Sequence, residues 1–326
     1  MEHLLGIEDL YVEYHTLEGT VRALNGVHLS LDKGEALGLV GETGAGKTTA
    51  AVSVLGLLSR RTARITKGSI RFAGKELLDK KNAAYLQCIR GDRISMVFQN
   101  PLTSLNPVFT VGEQVAMVFR QHQKMNKQQA AEAAGKILEV VGIPAYRAAD
   151  YPHQFSGGMR QRVGIAAALA CEPDLLIADE PTTALDVTIQ AQVLELMKDL
   201  QRKNRTSLIM ITHNLGIVRE LCERVAVMYA GRIIEKGSVD SVFTKPSHPY
   251  TKGLIGSLPD INKKTERLEP IPGFMSNPMA LPEGCKFAPR CPACMEICNK
   301  RDPSETRLDT DHFVACFESG KISGVN

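Results

Sequence analysis

The stretch that decides the fold reads Gly41-Glu42-Thr43-Gly44-Ala45-Gly46-Lys47-Thr48. It follows the apolar run 36–40, which predicts a buried strand leading into the loop. The glycines allow successive backbone N–H groups to face one anion, and a helix starting near Gly46 would add its positive end. We expect Lys47 to reach the β- and γ-phosphates, Thr48 to ligate Mg²⁺ and Thr49 to adjoin the nucleotide. The motif predicts a phosphate-binding loop, with a chance glycine-rich turn as the alternative.

A second segment, Leu175-Leu176-Ile177-Ala178-Asp179-Glu180, ends in two acids. Four apolar residues followed by acids predict a buried parallel strand that ends at a ligand-binding edge. Asp179 would hold the metal ion, usually through water, and Glu180 would orient or deprotonate the attacking water. A solvated acidic turn before Pro181 is the alternative.

A third segment, Phe155-Ser156-Gly157-Gly158-Met159-Arg160-Gln161-Arg162, precedes the acidic strand by about one helix length. Ser156 is a good helix N-cap, and Gly157 and Gly158 let a phosphate approach backbone N–H groups. Together the three segments resemble ATP-binding cassette (ABC) ATPases, in which this signature completes the ATP site of the partner subunit. The fifth residue of the signature is usually Gln, whereas here it is Met159, with Gln161 two places further on.

The same resemblance gives roles to residues outside these segments. Gln99 follows the apolar run 94–98 and His213 follows the run 208–212, and both runs predict buried strands. The resemblance implies that Gln99 touches Mg²⁺ and the attacking water, and that His213 contacts the γ-phosphate and holds the catalytic glutamate. It also implies that Tyr14 stacks on adenine, although Tyr11 lies nearby. Asp186, in the run 184–186, matches the loop that crosses the dimer interface. Taken singly, each of these residues also fits an ordinary structural role in a loop, strand end or strand surface.

The composition is that of an ordinary globular protein. The 326 residues are 44% hydrophobic and 23% charged, and the formal net charge is +3. The basic residues are dispersed, so nothing supports a nucleic-acid partner and none is expected. The N-terminus shows no signal peptide pattern, and the richest apolar stretch, 50–58, is about half the length that spans a bilayer. If the protein works at a membrane, we expect it to dock there through other chains.

Between the glutamine and the signature, the apolar spacing becomes helical, at residues 111–119 and 130–141. The resemblance implies a helical subdomain, about residues 100–165, that meets membrane subunits and is hinged at 100–107. A lid without a partner is the alternative. The predicted fold class is α/β, a P-loop NTPase of ABC type with a RecA-like core, an antiparallel β subdomain and this helical subdomain. It would occupy residues 1–240.

Residues 241–326 form a predicted small extension rich in cysteine and proline. Ten of the sixteen prolines and five of the eight cysteines lie there, the latter being Cys285, Cys291, Cys294, Cys298 and Cys316. Such a segment has too few apolar residues to fold alone, and a reducing compartment disfavours disulfides, which leaves a metal or an iron–sulfur cluster. The spacing of Cys285, Cys291, Cys298 and Cys316 matches neither the common zinc patterns nor the ferredoxin runs.

Two runs, 247–254 and 284–292, resemble the C-terminal extension of dipeptide and oligopeptide importer ATPases. That resemblance implies a [4Fe-4S] cluster on Cys285, Cys291, Cys298 and Cys316. Cys294 is extra to the pattern, and its pair with Cys291 could be half of a zinc site. The metal, and a structural or redox-regulatory role for it, therefore stay open.

The resemblance as a whole implies an ATPase, using ATP and Mg²⁺, that powers peptide import from the cytoplasmic face of the cell membrane. Its expected partners are a second ABC ATPase subunit, identical or different, two integral membrane permease subunits and an external peptide-binding protein. A redox-sensing ABC ATPase and a DNA-repair type are the alternatives, although no heptad run for a coiled coil is present. Loss of a cysteine ligand is expected to spare ATP binding at Lys47.

Overall fold

The computed structural model describes residues 3–99, 105–182, 185, 187–257 and 271–320. Contacts divide them into two compact units. The first comprises Leu31–Ala36 and Leu77–Ile211 with the residues up to Leu4, and the second comprises Leu5–Ser30, Leu37–Glu76 and the described residues from Thr212 onward.

The strands and helices are numbered in chain order. The strands are β1 (Leu5–Thr16), β2 (Gly19–Leu31), β3 (Ala36–Val40), β4 (Ala63–Phe72), β5 (Lys75–Glu76), β6 (Ile94–Val97), β7 (Leu175–Asp179), β8 (Ser207–Ile211), β9 (Arg224–Tyr229), β10 (Arg232–Ser238), β11 (Thr306–Asp309) and β12 (His312–Val314). The helices are α1 (Lys47–Val54), α2 (Ala83–Ile89), α3 (Val111–His122), α4 (Lys127–Val140), α5 (Gly157–Leu169), α6 (Val187–Asn204), α7 (Leu215–Leu221), α8 (Val239–Thr244), α9 (Pro249–Gly256), α10 (Glu296–Lys300) and α11 (Phe317–Gly320).

Three parallel strands form the sheet of the first unit, in the order β8, β7, β6. Ile177 in β7 pairs with Met96 on one side and Ile209 on the other. Every residue of the three strands is buried, as expected for parallel strands covered on both faces. The predicted strands before the acidic pair, before Gln99 and before His213 are confirmed. Their carboxyl ends therefore present the acids and Gln99 at the same edge of this sheet.

The helical part of the first unit is stabilised locally at its helix starts. Helix α3 begins with a capping box in which Thr110 and Glu113 satisfy each other's backbone N–H groups, and α4 begins with a second one between Asn126 and Gln129. The buried positions of both helices recur at helical spacing. Both helices fall where the apolar spacing predicted them. Residues 100–104 of the predicted hinge lie outside the described residues.

The second unit contains two sets of strands. One is an antiparallel sheet in the order β2, β1, β4, β5. In the other, β3 runs parallel to β9, and β9, β10, β12 and β11 follow in antiparallel pairs. Strands β9 and β10 form a hairpin, and the tail adds its strands β12 and β11 to the outer side of β10. The extension is thus continuous with the sheet that carries the phosphate loop.

A buried carboxylate fastens the tail to this sheet. The side chain of Glu235 on β10 is fully buried and accepts hydrogen bonds from the backbone N–H groups of Ser247 (2.7 Å) and His248 (2.9 Å). His312 Nε2 lies 2.8 Å from the same carboxylate. His248 then caps α9 by accepting from the Tyr250 N–H at 3.0 Å, and burial lowers the pKa of His248 to about 4. One side chain therefore anchors both the start and the end of the extension.

Within the described residues, no helix is long and apolar enough to cross a membrane.

Candidate nucleotide site and cysteine pocket

The loop from Gly41 to Lys47 leaves the end of β3 directly and enters α1, as the motif predicted. Gly41, Gly44 and Gly46 have φ values of 148°, 83° and 103°. A Cβ atom at Gly41 would lie 2.1 Å from the carbonyl oxygen of Met228, and one at Gly46 would lie 2.7 Å from a backbone oxygen. Glycine is therefore required here by both conformation and space.

The charge of Lys47 is held inside this curl. Its Nζ donates to the carbonyl oxygens of Gly41 (2.6 Å) and Glu42 (3.0 Å), and the residue is only 7% exposed. No side chain caps the start of α1, whose N-cap is Gly46 in the left-handed conformation. A buried ammonium beside an N-terminal helix turn is an arrangement suited to phosphate. Thr48, the next residue of the helix, is exposed, and its role as a Mg²⁺ ligand stays a prediction.

Of the two candidate tyrosines, Tyr14 contacts this helix. The Tyr14 hydroxyl is 3.4 Å from Oγ1 of Thr49 on α1. The ring of Tyr11 instead lies 5.6 Å from Nζ of Lys67. The geometry favours Tyr14 over Tyr11 as the aromatic residue of the nucleotide site, and its contact with adenine stays a prediction.

The acidic pair sits at the end of β7, and its second residue has a strained backbone. Asp179 is the last residue of the strand and is 2% exposed. Glu180 has a φ of 47°, a left-handed conformation that costs a non-glycine residue roughly 1 kcal/mol. Its N–H donates to the Ile211 carbonyl at 2.8 Å, and its carboxylate accepts from Gln99 Nε2 at 2.9 Å. The structure brings Glu180 and Gln99 together, and strain of this kind is often concentrated at functional sites.

The signature segment forms the start of a helix. Ser156 is the N-cap of α5 and accepts from the Met159 N–H at 3.3 Å. Ser156 is exposed, and a Cβ atom at Gly157 would meet no heavy atom within 4 Å. Gln161 is 3% exposed, so it is not available at this surface in place of the usual signature glutamine. The segment offers an open helix N-terminus, which is the feature that a second phosphate would need.

Two further residues with predicted roles are His213 and Asp186. His213 is exposed and lies two residues after the end of β8, just before Asn214 caps α7 by accepting from the Gly216 N–H at 2.9 Å. Asp186, predicted to cross a dimer interface, lies outside the described residues. The roles of both residues stay predictions.

The four predicted ligand cysteines line one pocket in the tail. They are Cys285, Cys291, Cys298 and Cys316. Cys294 is not among the lining residues: it is exposed, and its Sγ lies 3.6 Å from the Met295 carbonyl oxygen. A backbone hydrogen bond joins two of the segments that line the pocket, since the Cys285 N–H donates to the Cys298 carbonyl at 2.8 Å. These four cysteines therefore share a pocket that Cys294 does not line, and their role as ligands stays a prediction.

Two thiols of this pocket, those of Cys285 and Cys291, are held in the neutral form by burial. Burial raises the pKa of Cys285 and of Cys291 to about 11, because the thiolate form loses its hydration. In the part of the chain that the structure describes, no group of three or more His, Cys, Asp or Glu side chains is arranged to hold a metal ion. The donor set fits thiolate ligation by its chemistry and its shared pocket, so the identity of any bound group belongs with the proposals below.

Sequence reasoning missed two tail residues that contact the phosphate loop. Arg290 forms an ion pair with Glu42, and the Tyr250 hydroxyl accepts a hydrogen bond from the Glu42 N–H. Both tail residues lie inside the runs that carried the family resemblance, which was the available signal. No spacing rule connects them with Glu42, since the motif leaves that loop position open.

The strand–loop–helix site and the acids at the end of a buried parallel strand define a P-loop nucleoside triphosphatase. Two family models match the chain, ABC transporter over residues 24–183 and oligopeptide/dipeptide transporter, C-terminal region, over residues 234–298. The chain belongs to the ABC transporter family, among the ATPase subunits of dipeptide and oligopeptide transporters.

Individual relatives and solved structures agree with this assignment. The chain is 48% identical over 319 residues to the dipeptide transport ATP-binding protein DppD of Bacillus subtilis, covering 97% of this chain and 95% of the relative. It is 47% identical over 317 residues to the oligopeptide transport ATP-binding protein OppD of Escherichia coli, covering 97% and 93%. A dimeric post-hydrolysis structure of the ATP-binding cassette MJ0796, bound to ADP and Pi, matches with a TM-score of 0.65 at 28% identity, covering 72% of this chain and 98% of that one.

Proposed function

We propose that this chain is the ATP-hydrolysing subunit of an ABC importer that powers the uptake of dipeptides or oligopeptides. One observation carries the proposal: similarity to peptide transport ATP-binding proteins runs through nearly the full length of both chains. It includes the C-terminal region whose family model is described for oligopeptide and dipeptide transporters. Which peptides are carried would depend on other subunits.

The phosphate-binding roles follow from the geometry of the loop. Lys47 would exchange its bonds to backbone carbonyls for the β- and γ-phosphates, and the loop N–H groups would bind the remaining oxygens. Thr48 and Asp179 would hold Mg²⁺, the latter through water, and Tyr14 would stack on the adenine. Mg²⁺ would neutralise charge that develops on the phosphates during transfer. Most of the rate enhancement would come from this charge stabilisation.

Three residues would activate the attacking water. Glu180 and Gln99 follow strands β7 and β6, and His213 follows β8. Glu180 would accept the proton of the attacking water, and Gln99, already bonded to it at 2.9 Å, would orient that water and touch the metal. His213 would contact the γ-phosphate and hold Glu180. The strained backbone of Glu180 supports this role, because strained residues of this kind are concentrated at active sites.

A second subunit would complete each ATP site. The exposed N-terminus of α5, formed by Ser156, Gly157 and Gly158, would bind the nucleotide held by the partner's phosphate loop, and Asp186 would lie at the interface. The partner would be a second copy or a different ABC ATPase. The helical subdomain would dock on two membrane permease subunits, and the protein would then lie at the cytoplasmic face of the cell membrane. An external binding protein would deliver the peptide.

The cysteine pocket would hold a [4Fe-4S] cluster. Cys285, Cys291, Cys298 and Cys316 would be its thiolate ligands, and Cys294 would not. A bound cluster would hold together a segment with little apolar core, and its ligands would bind it as thiolates. Support comes from the four side chains that line one pocket and from the exposed position of the fifth.

Peptide uptake tests the transport function directly. Cells that depend on this chain for import should take up a labelled dipeptide or tetrapeptide, and Lys47→Ala should abolish the uptake. Native purification should recover two permease subunits with the chain. Uptake that persists in Lys47→Ala, or co-purification with DNA-repair proteins alone, would contradict the proposal.

A further inference from the structure

An ion pair joins the tail of the second unit to its phosphate loop. The Arg290 guanidinium donates to both carboxylate oxygens of Glu42, at 2.9 and 3.1 Å. The Arg290 side chain is 5% exposed and that of Glu42 is 31% exposed. Such two-point pairs fix the geometry as well as the charge of the carboxylate. The second residue of the loop is therefore held from outside the loop.

Arg290 is itself fixed on several sides. Its Nε donates to the Pro272 carbonyl at 2.8 Å, and one terminal nitrogen donates to the Ile271 carbonyl at 3.3 Å. The guanidinium carbon lies 5.9 Å from the ring centres of Tyr229 and Phe287. Burial alone would lower the pKa of Arg290, but hydrogen bonds to Glu42 and Tyr229 raise the pKa above its ordinary value. The side chain is thus charged and has little freedom to move.

Two more tail residues contact the same loop. The Tyr250 hydroxyl accepts from the Glu42 N–H at 2.9 Å, and Tyr250 is fully buried. A Cβ atom at Gly44 would lie only 2.7 Å from Cε of Met275, so this methionine covers the loop. The carbonyl of Glu42 in turn accepts from Lys47 Nζ at 3.0 Å. Glu42 is therefore held by the tail through its side chain and its N–H, and by the phosphate-binding lysine through its carbonyl.

We propose that Arg290 is a positioning residue for ATP binding, acting through Glu42. It would have two effects, because it restrains the loop in the curled conformation and neutralises a carboxylate beside the site of an incoming triphosphate. An unpaired Glu42 carboxylate would repel the phosphates, and the loop would be free to relax. The inference rests on the proposed use of this loop for ATP.

A comparison within the tail separates this role from general stabilisation. Arg232 also joins the sheet to the tail, through an ion pair with Asp302 and a bond to the Pro303 carbonyl, and neither contact involves the loop. Arg232→Ala is the matched control for Arg290→Ala. Each variant loses an arginine that anchors the tail, and only Arg290 touches Glu42.

The experiment measures the Kd of a non-hydrolysable ATP analogue with Mg²⁺ by calorimetry on the purified full chain. Arg290→Ala should raise the Kd about tenfold, since one charged hydrogen-bonded pair is lost, and Arg232→Ala should leave it at the wild-type value. Adding Glu42→Gln to Arg290→Ala should recover most of the affinity by removing the unpaired charge. Backbone hydrogen exchange at residues 41–48 should be faster in Arg290→Ala than in wild-type protein, and unchanged in Arg232→Ala.

The outcomes are decisive in each direction. An unchanged Kd in Arg290→Ala, an equal loss in Arg232→Ala, or no recovery with Glu42→Gln would each overturn the proposal. If Arg290→Ala does not fold, Arg290→Lys and Tyr250→Phe carry the test, each with an expected Kd increase of about two- to fivefold. Lys47→Ala should abolish binding in the same assay. If it does not, the proposed ATP site itself fails, which is a different result from failure of the Arg290 role.

Discussion

Replacing Glu180 by glutamine isolates the chemical step from the structure around it. The amide has the same shape, its oxygen can still accept from Gln99 Nε2 at about the observed 2.9 Å, and the N–H bond to the Ile211 carbonyl is untouched. Only the proton-accepting carboxylate is lost. The expected effect is a fall in turnover of about 10² to 10⁴, which is about 3–5 kcal/mol on the barrier.

ATP hydrolysis should be followed as phosphate release at saturating ATP, beside the Kd of ATP for each protein. Glu180→Gln should bind ATP with wild-type affinity, because the loop and Lys47 hold the phosphates. Gln99→Ala is the informative companion: it leaves the carboxylate in place without its 2.9 Å partner, so turnover should fall less than in Glu180→Gln. Wild-type turnover in Glu180→Gln would refute the reasoning, and a parallel loss of ATP affinity would show that the residue binds rather than catalyses.

Three other outcomes are expected. Glu180 has a φ of 47°, which glycine adopts without strain and alanine does not. The free energy of unfolding in urea should therefore be about 1 kcal/mol higher for Glu180→Gly than for Glu180→Ala, the reverse of the usual order. Equal free energies of unfolding would argue against the strain. Ser156→Arg should block hydrolysis while the single chain keeps its ATP affinity, and specific activity should rise with protein concentration; a flat dilution series would contradict a shared site. Anaerobically purified protein should be brown, with about four irons and four sulfides per chain. Cys291→Ser should lose the iron and sulfide, and Cys294→Ser should keep them. A colourless protein that binds zinc through Cys294 would replace the cluster hypothesis with a zinc site.

Local patterns were enough to predict the elements that carry the ATP site. The largely apolar runs predicted β3, β6, β7 and β8, because strands buried on both faces consist mainly of apolar residues. The loop conformation could be predicted from its glycines, because other residues rarely adopt the backbone conformations that these glycines have. Features set within a few neighbouring residues were therefore recoverable from the sequence.

The positions of single side chains in three dimensions were not recoverable in this way. Nothing in the spacing of Tyr11 and Tyr14 distinguishes them, because the choice depends on the irregular pairing of β1 with β4 near Tyr11. The left-handed backbone conformation of Glu180 could not be predicted from the sequence either, since glutamate has no local preference for it. Both features arise from tertiary contacts that override local preference.

The contact between Glu42 and Arg290, 248 residues apart, changes how the tail should be understood. From the sequence, the cysteine segment is expected to be held together by a metal, and loss of a cysteine ligand is expected to spare ATP binding at Lys47. In the structure, Arg290 directly precedes the pocket residue Cys291, and Phe287 both lines that pocket and packs on Tyr250. Disturbing the pocket must therefore disturb the residues that hold the phosphate loop. On this basis Cys291→Ser should weaken ATP binding in wild-type protein and have little further effect in Arg290→Ala, because the connection is already broken there.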